Sequence, residues 1–248
     1  VYWLAAPIFN NDAVNKIYAV KGRPTSNPLI VHVADIAQAK MLVRHFPEKA
    51  LKLAEHFWPG PLTMIFEKNE NVPDVITAGQ STVAIRVPDH PLLLQLLQLY
   101  NKPLAAPMLG DKIQYILDGG RCSKGLESTI FSFEDDSVRI LRPGAIAAAD
   151  IENVLQEIVL ENKETSIAHP GMFKQHYSPS TPMLLVDVIT PDLLEQYPGN
   201  AALLLYNQYC SFYNMEKQYL LSPNSRPEEA AWNLYDILHN IDAQDYDL

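Results

Sequence analysis

The stretch 21–32 reads Lys-Gly-Arg-Pro-Thr-Ser-Asn-Pro-Leu-Ile-Val-His and joins a helix-like segment to a strand-like one. In 10–21, apolar and long side chains recur every three or four residues, which predicts a helix with Asn11 or Asp12 as its N-cap. The apolar run 29–33 that follows predicts a short strand. The alternation of helix and strand is typical of an α/β fold.

The junction between the two segments carries two cations. Lys21 and Arg23 flank a glycine, after the predicted helix and before the predicted strand. This arrangement suits a polyphosphate, because lysine supplies a point charge and arginine a planar fork of donors. It equally suits a helix C-terminus, whose partial negative charge favours nearby cations. The spacing alone leaves both interpretations open.

Outward from this junction, the periodicity predicts further helices at 36–46, 48–57, 91–100 and 148–158, and strands at 62–66, 82–87, 115–117, 128–133 and 138–141. In the strand 82–87, valine and isoleucine alternate with Thr82, Ala84 and Arg86, so Arg86 lies on the face opposite Ile85. An arginine in an apolar strand needs an anionic partner. That partner is either a structural carboxylate or the carboxylate of a substrate.

The last third of the chain predicts a separate, smaller domain. The periodicity is lost from 161 to 180, where His-Pro-Gly and Ser-Pro-Ser are loop signals. Beyond this linker, 183–188 and 201–206 predict buried strands and 228–241 predicts an amphipathic helix. We therefore expect domains at 1–160 and 181–248, joined by a linker at 161–180. The chain starts at Val1 rather than methionine, so we expect a fragment, with a C-terminal domain that stops before its last elements.

The composition excludes several classes of protein. The 248 residues are 48% apolar and 19% charged, which is typical of a globular protein. A net charge of -10 disfavours a large nucleic-acid-binding face, so no stable nucleic-acid binding is expected. No apolar run is long enough to cross a bilayer and no signal peptide is recognisable. We expect a cytoplasmic protein with no membrane association, in which Cys122 and Cys210 are reduced thiols.

Common catalytic and metal-binding motifs are also missing from the sequence. There is no P-loop, no dinucleotide-binding glycine pattern and no nucleophile elbow. His45, His56 and His90 lack metal-ligand spacing, so no protein-held metal site is predicted. Two further segments contain residues suited to a polar site. Glu127-Ser128-Thr129 opens a predicted strand, and Arg142-Pro143-Gly144 ends the next one.

Taken in order along the chain, these segments resemble the YrdC-like family, the L-threonylcarbamoyladenylate synthases, in its longer two-domain form. The resemblance covers nearly the whole chain. It is carried by residues 1–2, 21–24 with 27–32, 57–63 (Phe-Trp-Pro-Gly-Pro-Leu-Thr), 82–88, 103–107, 118–120, 126–130, 142–144 and 170–172 with 176–179.

The resemblance implies a fold and a reaction. The fold is α/β: a YrdC-like twisted mixed sheet with flanking helices around a concave cavity, plus a small C-terminal α/β domain. The implied reaction is that of a nucleotidyltransferase, which forms threonylcarbamoyl-AMP and pyrophosphate from ATP, L-threonine and bicarbonate or CO2. Mg2+ accompanies the ATP, and the product passes to the downstream tRNA threonylcarbamoyl transferase machinery.

The resemblance also implies which residues form the site. The implied catalytic residues are Lys21, Arg23 and Arg86. Threonine is expected to be bound by Tyr2, His32, Arg86 and Ser128, with Arg86 on the carboxylate. ATP is expected to be bound by Lys21, Arg23, Asn27, Thr82, Arg142, His176 and Tyr177, the last two from a linker that folds over the mouth of the cavity.

The sequence departs from the family pattern at two places. After Pro107 the family continues with Ser-Ala-Asn and a further loop, whereas here Met108-Leu109-Gly110-Asp111 follows. Trp3 stands where the family has glycine. A catalytically inactive relative therefore stays an alternative, as does an RNA-binding YrdC-like module. A carbamoyl-transfer domain of the hydrogenase-maturation type would need zinc-finger cysteines and an acylphosphatase segment, which this sequence lacks.

Overall fold

A computed structural model of the chain describes residues 4–21, 24–105, 119–120, 124–134, 137–161, 179–197 and 199–248. These residues fall into two compact units. One unit lies within 1–122 and 127–173, and the other within 123–126 and 174–248. The predicted strand at 115–117 lies outside the described residues.

The first unit is built on a mixed β-sheet, which confirms the predicted α/β fold class. Among the described residues the sheet has eight strands in the order β1-β5-β2-β4-β3-β6-β7-β8. The neighbours β2 and β4, β3 and β6, and β7 and β8 run parallel, and the other pairs run antiparallel. The strands are β1 (Ala6–Pro7), β2 (Ile30–His32), β3 (Leu62–Glu67), β4 (Thr82–Arg86), β5 (Leu104–Ala105), β6 (Thr129–Glu134), β7 (Ser137–Arg142) and β8 (Val159–Glu161).

Six helices accompany this sheet in the described part of the first unit. They are α1 (Asn11–Lys21), α2 (Ile36–Lys40), α3 (Glu48–Phe57), α4 (Asp74–Thr77), α5 (Pro91–Tyr100) and α6 (Ala148–Leu155). The N-cap of α1 is Asn10, because its Oδ1 accepts from the backbone N–H of Ala13 at 3.0 Å. The prediction of Asn11 or Asp12 as the cap was therefore wrong by one or two residues.

The two faces of the sheet carry different side chains. Alternate residues of the central strands, among them Val83, Ile85, Met64 and Phe131, belong to the large core of the unit. On the other face a smaller apolar cluster is formed by Ile65, Ala84, Ile130 and Leu141, with Ile30 packed against it. The strand alternation predicted from 82–87 is confirmed, because Val83, Ile85 and Val87 are all in the large core. Arg86 therefore lies on the face of the smaller cluster.

Two predicted helices end earlier than expected, and a third has its predicted bounds. The helix predicted at 36–46 ends at Lys40, and a turn and an isolated bridge between Val43 and Lys68 follow. The helix predicted at 148–158 ends at Leu155, because Gln156 adopts a left-handed backbone conformation with φ of 58°. Helix α5 has the predicted bounds 91–100; its Leu97 is buried and its Leu94 packs against the large core, while Leu99 is 80% exposed.

The second unit contains a two-stranded parallel ladder and three helical elements within its described residues. These are α7 (Pro191–Glu195), β9 (Leu203–Leu205), a 3-10 turn (Met215–Lys217), β10 (Gln218–Leu220) and α8 (Pro227–Asp242). Buried Gln218 bonds the backbone N–H and C=O of Cys210. The hydroxyls of Tyr219 and Tyr246 lie 3.1 Å apart, and this hydrogen bond raises the pKa of Tyr219 to about 12.

The predicted buried strand at 183–188 is wrong. Leu185 is 99% exposed and Val188 69% exposed, and the segment has no strand conformation. Its apolar, β-branched composition favours a strand, but a strand also needs a partner ladder. Within the described residues, β9 and β10 pair with each other and not with this segment. No helix in the described part is long and apolar enough to span a membrane.

Helix α6 offers a test of local stability, because its N-cap is Ala147, which has no side-chain acceptor. The backbone N–H of Ala147 already donates to the Asp150 carboxylate at 3.2 Å, which is half of a capping box. We expect Ala147→Ser to complete the box and to raise the free energy of unfolding by about 1 kcal/mol, measured by urea denaturation. The control Ala149→Ser, inside the same helix, should lower it slightly. Equal effects from the two variants would contradict the capping argument.

Candidate functional site

A row of side chains crosses five strands on the face of the smaller apolar cluster. His32 of β2 pairs in register with Arg86 of β4. Met64 of β3 pairs with Ile85, so continuing this antiparallel register by one residue sets Thr63 opposite Arg86. On the far side of β3, Thr63 pairs with Ile130, which pairs with Arg142 of β7. Four strand spacings separate the ends of the row, about 19 Å.

Gly60 and Asp89 both contact the Arg86 side chain in this row. Its Nε donates to the carbonyl oxygen of Gly60 at 2.8 Å, and its Nη2 lies 3.5 Å from an oxygen of Asp89. The Arg86 side chain is only 12% exposed, whereas that of Asp89 is 37% exposed. Arg86 thus has a structural carboxylate partner, one of the two possibilities that the sequence left open. The pair is long and its acid is partly solvated, so a further carboxylate is electrostatically acceptable beside the guanidinium.

Ser128 lies immediately before β6 and is held by Arg142 and Thr63. Nη2 of Arg142 donates to the Ser128 carbonyl oxygen at 2.8 Å and to its Oγ at 3.1 Å. Nη1 of Arg142 lies 3.5 Å from the carboxylate of Glu127. The Oγ of Ser128 is also 2.8 Å from Oγ1 of Thr63, which is completely buried. The predicted threonine ligand Ser128 and the predicted ATP ligand Arg142 therefore lie in direct contact.

The turn after Arg142 is hydrogen-bonded to the residues on both sides of Ser128. The N–H of Ala145 donates to the carbonyl of Glu127 at 2.9 Å. Buried Thr129 bonds both backbone groups of Ile146, donating to its carbonyl at 2.7 Å and accepting from its N–H at 3.0 Å. Gly144 lies so close to 127–129 that an added Cβ would be 2.5 Å from backbone atoms there. Only glycine fits between these two backbones.

The loop before β3 is hydrogen-bonded both to the end of β4, which carries Arg86, and to the start of β6. Gly60 accepts from Arg86 through its carbonyl, and its own N–H donates to the carbonyl of Val87 at 2.9 Å. The next residue, Pro61, accepts from the N–H of Thr129 at 3.0 Å. Adjacent residues of one short loop thus bond the strand that carries Arg86 and the strand that follows Ser128. This connection sets the two predicted threonine ligands at the same end of the sheet.

Two other predicted nucleotide ligands, Asn27 and Thr82, lie towards the opposite end of the sheet from Arg86. Thr82 begins β4, four residues before Arg86, which corresponds to about 13 Å along a strand. Buried Asn27 precedes the parallel strand β2, and its carbonyl accepts from the Tyr18 hydroxyl at 3.2 Å. Helix α1 ends at Lys21. Asn27 and Thr82 therefore lie at the starting ends of neighbouring strands, with His32 and Arg86 at their finishing ends.

Part of the predicted site lies outside the described residues. This applies to Tyr2, Arg23, His176 and Tyr177 and to the segment after Pro107, as well as to the side chain of Lys21. The structure brings His32, Arg86 and Arg142 onto one row, and Ser128 contacts the Arg142 and Thr63 side chains of that row. Thr63 was missed by the sequence reasoning, although it belongs to the quoted stretch 57–63. A hydroxyl within the apolar strand 62–66 was the signal that could have identified it.

The charge and ligand chemistry of the row suit an anionic, oxygen-rich ligand. Two arginines, each less than 15% exposed, face the same side of the sheet, and a carboxylate lies 3.5 Å from each of them. Among the described residues, no group of three or more histidine, cysteine, aspartate or glutamate side chains is arranged to hold a metal ion. The arrangement can bind carboxylate or phosphate groups and orient them.

Two family models match the chain. Residues 1–109 match the model for Sua5, YciO and YrdC proteins, described as "Telomere recombination". Residues 146–248 match the model described as "Threonylcarbamoyl-AMP synthase, C-terminal domain".

Curated relatives and a solved structure agree with these matches. The chain is 36% identical to the threonylcarbamoyl-AMP synthase of Bacillus subtilis over all of its own length and 80% of the relative. It is 38% identical to that of Pyrococcus abyssi, over 75% of this chain and 62% of the relative, so it spans less than two thirds of that protein. A crystal structure of P. abyssi Sua5 with L-threonine superposes on the whole chain with a TM-score of 0.88, at 32% identity and over 81% of the Sua5 chain.

Proposed function

The chain belongs to the threonylcarbamoyl-AMP synthase family, and we propose that it is a nucleotidyltransferase that makes threonylcarbamoyl-AMP and pyrophosphate from L-threonine, bicarbonate or CO2, and ATP. One observation in the molecule carries the proposal: Arg86 and Arg142 share one row on one face of the sheet, and Arg142 bonds the Ser128 hydroxyl. The relative from P. abyssi, whose crystal structure contains L-threonine, supports the choice of amino acid.

The proposed chemistry needs positioning more than it needs a protein nucleophile. The amine of threonine attacks CO2 to form an N-carboxylate and loses a proton. An oxygen of that carboxylate attacks the α-phosphorus of ATP, and the bond to the pyrophosphate leaving group breaks. Holding the two reactants in line and neutralising their charge supplies most of the rate in such transfers.

Named residues perform the positioning in this proposal. Arg86 binds the threonine carboxylate with the guanidinium orientation that the Gly60 carbonyl sets. Ser128 bonds an oxygen of the amino acid, and His32 lines the same pocket at the neighbouring register position. The nucleotide extends towards Asn27 and Thr82, with Lys21 and Arg23 on its phosphates. Arg142, beside Ser128, serves both substrates.

Mg2+ accompanies the nucleotide in this scheme. No group of three or more histidine, cysteine, aspartate or glutamate side chains in the described part is placed to hold the ion, so in this proposal it would be held mainly by the ATP phosphates and water. When bound, it neutralises phosphate charge. The product, a mixed anhydride, is consumed by the downstream machinery that transfers the threonylcarbamoyl group to an adenosine of tRNA in the cytoplasm.

The deciding experiment incubates the protein with ATP, Mg2+, bicarbonate and one amino acid at a time, and measures pyrophosphate and the adenylate by mass spectrometry. We expect both products with L-threonine and neither with L-valine, which lacks the hydroxyl. Chelation of Mg2+ should stop the reaction. Binding of threonine without turnover would instead indicate an inactive relative. Pyrophosphate release at the same rate with every amino acid, or with none, would refute the proposal.

A further inference from the structure

Thr63 has no role in the proposed function so far, yet it lies at the centre of the row. It is completely buried, pairs with Ile130 on one side and is in register with Arg86 on the other. Its hydroxyl contacts the hydroxyl of Ser128 at 2.8 Å. Within the described part of the chain, this is the one hydrogen-bond partner of Thr63 Oγ1.

The two hydroxyls carry two hydrogens but share one hydrogen bond. If Ser128 donated to Thr63, the hydrogen of Thr63 would be buried without an acceptor, which is unfavourable. If Thr63 donates, the spare hydrogen belongs to Ser128, which is 3% exposed, whereas Thr63 is completely buried. The second arrangement is favoured, because Ser128 keeps a small exposed area where its hydrogen can meet an acceptor and Thr63 has none.

Arg142 reinforces this direction. Its Nη2 donates to Ser128 Oγ at 3.1 Å and cannot accept in return. With Thr63 donating as well, both lone pairs of Ser128 Oγ are engaged, and its hydrogen is available only for donation. A donor bond from a neighbouring cation also polarises the hydroxyl and strengthens its own donation.

We propose that Thr63 is a positioning residue that fixes the hydrogen of the Ser128 hydroxyl, so that Ser128 donates to an acceptor oxygen of the amino-acid substrate. The inference rests on the proposed function for the identity of that substrate. It adds a residue that acts through Ser128, and it assigns Ser128 the role of donor rather than acceptor.

The test compares variants of position 63 in the presence and absence of the Ser128 hydroxyl. Thr63→Val removes the hydroxyl at nearly constant volume. We expect it to raise the KM for L-threonine about tenfold, equivalent to about 1.4 kcal/mol, with a smaller change in kcat and none in the KM for ATP. Thr63→Ser, which keeps the hydroxyl, should restore the wild-type KM. Isothermal titration of L-threonine should give the same ranking of affinities.

The double variant Thr63→Val/Ser128→Ala separates positioning from packing. If Thr63 acts through Ser128, adding Thr63→Val to Ser128→Ala should cause no further loss of threonine affinity. The same loss in both backgrounds would overturn the inference, as would a wild-type KM in Thr63→Val. Should Thr63→Val fail to fold, Thr63→Ala against Thr63→Ser gives the same comparison, since both lack the methyl group.

The outcomes for the two proposals are distinguishable. A wild-type protein that neither binds L-threonine nor releases pyrophosphate with it refutes the proposed function, and the inference with it. A wild-type protein that binds L-threonine, with Thr63→Val unchanged, refutes the inference alone.

Discussion

Arg86→Ala is expected to lower kcat/KM for threonine-dependent pyrophosphate release by about 30-fold to several thousand-fold. This range corresponds to about 2–5 kcal/mol, the usual effect of removing one partner from a buried charge-assisted contact. The physical reason is that the side chain is 12% exposed and is aimed by the Gly60 carbonyl, so its charge acts with little solvent screening. The measurement is initial pyrophosphate release against threonine concentration at saturating ATP.

Two further variants make the Arg86 result interpretable. Lys52→Ala removes a cation from α3 whose side chain is 56% exposed and pairs weakly with Glu48 at 3.5 Å, so activity should stay at the wild-type level. Arg86→Lys keeps the charge but loses the fork of donors, and we expect an intermediate activity. Thermal melting checks that each variant is folded. Equal activity of folded Arg86→Ala and Lys52→Ala would contradict the assignment of Arg86 to threonine.

The sequence was sufficient to assign Arg86 to a face, because alternation within a single strand is a local property. The neighbours of Arg86 across the sheet could not be predicted in the same way. The row from His32 to Arg142 depends on the strand order β2-β4-β3-β6-β7, in which residues far apart in the chain become adjacent. Thr63 was missed for this reason: its significance comes from lying between β4 and β6.

The prediction at 183–188 failed for a related reason. Composition and β-propensity describe what a segment can form, whereas pairing depends on which other strands are present. The ladder of β9 and β10 leaves Leu185 in solvent within the described residues. The fold class, by contrast, was predictable, because the alternation of helices and strands along 11–155 is repeated many times and single errors do not change it.

The contact between Arg142 and Ser128 couples the predicted ATP-binding residues to the predicted threonine-binding residues. The family resemblance assigns Arg142 to ATP and Ser128 to threonine. In the structure, however, Nη2 of Arg142 donates to both the carbonyl oxygen and the Oγ of Ser128. A shift of Arg142 therefore alters the amino-acid pocket, and a shift of Ser128 alters the nucleotide side. We expect the two substrate sites to be sensitive to the same structural perturbation.

Gly144→Ala should displace the backbone around Ser128, and we expect it to reduce kcat/KM by at least about 100-fold. The added Cβ would be 2.5 Å from the Glu127 oxygen and the Thr129 nitrogen, so the backbone at 127–129 has to move. Overpacking of this kind costs about 1–3 kcal/mol of stability, and backbone atoms relax less easily than side chains. Kinetics with threonine and with ATP varied in turn, together with urea denaturation, measure both effects. Because Ser128 and Arg142 move together, the apparent affinities for both substrates should weaken.

Gly79→Ala provides the matched comparison for this glycine. It adds the same methyl group at a position with no heavy atom within 4 Å, but with φ of 77°, where alanine is strained by about 1–2 kcal/mol. The two variants should therefore lose similar stability, while folded Gly79→Ala keeps its activity and folded Gly144→Ala does not. A Gly144→Ala protein with wild-type kinetics would show that the contacts between 142–146 and 127–129 do not set the position of Ser128. Loss of threonine affinity alone, with ATP affinity unchanged, would instead show that Arg142 serves the amino acid and not the nucleotide.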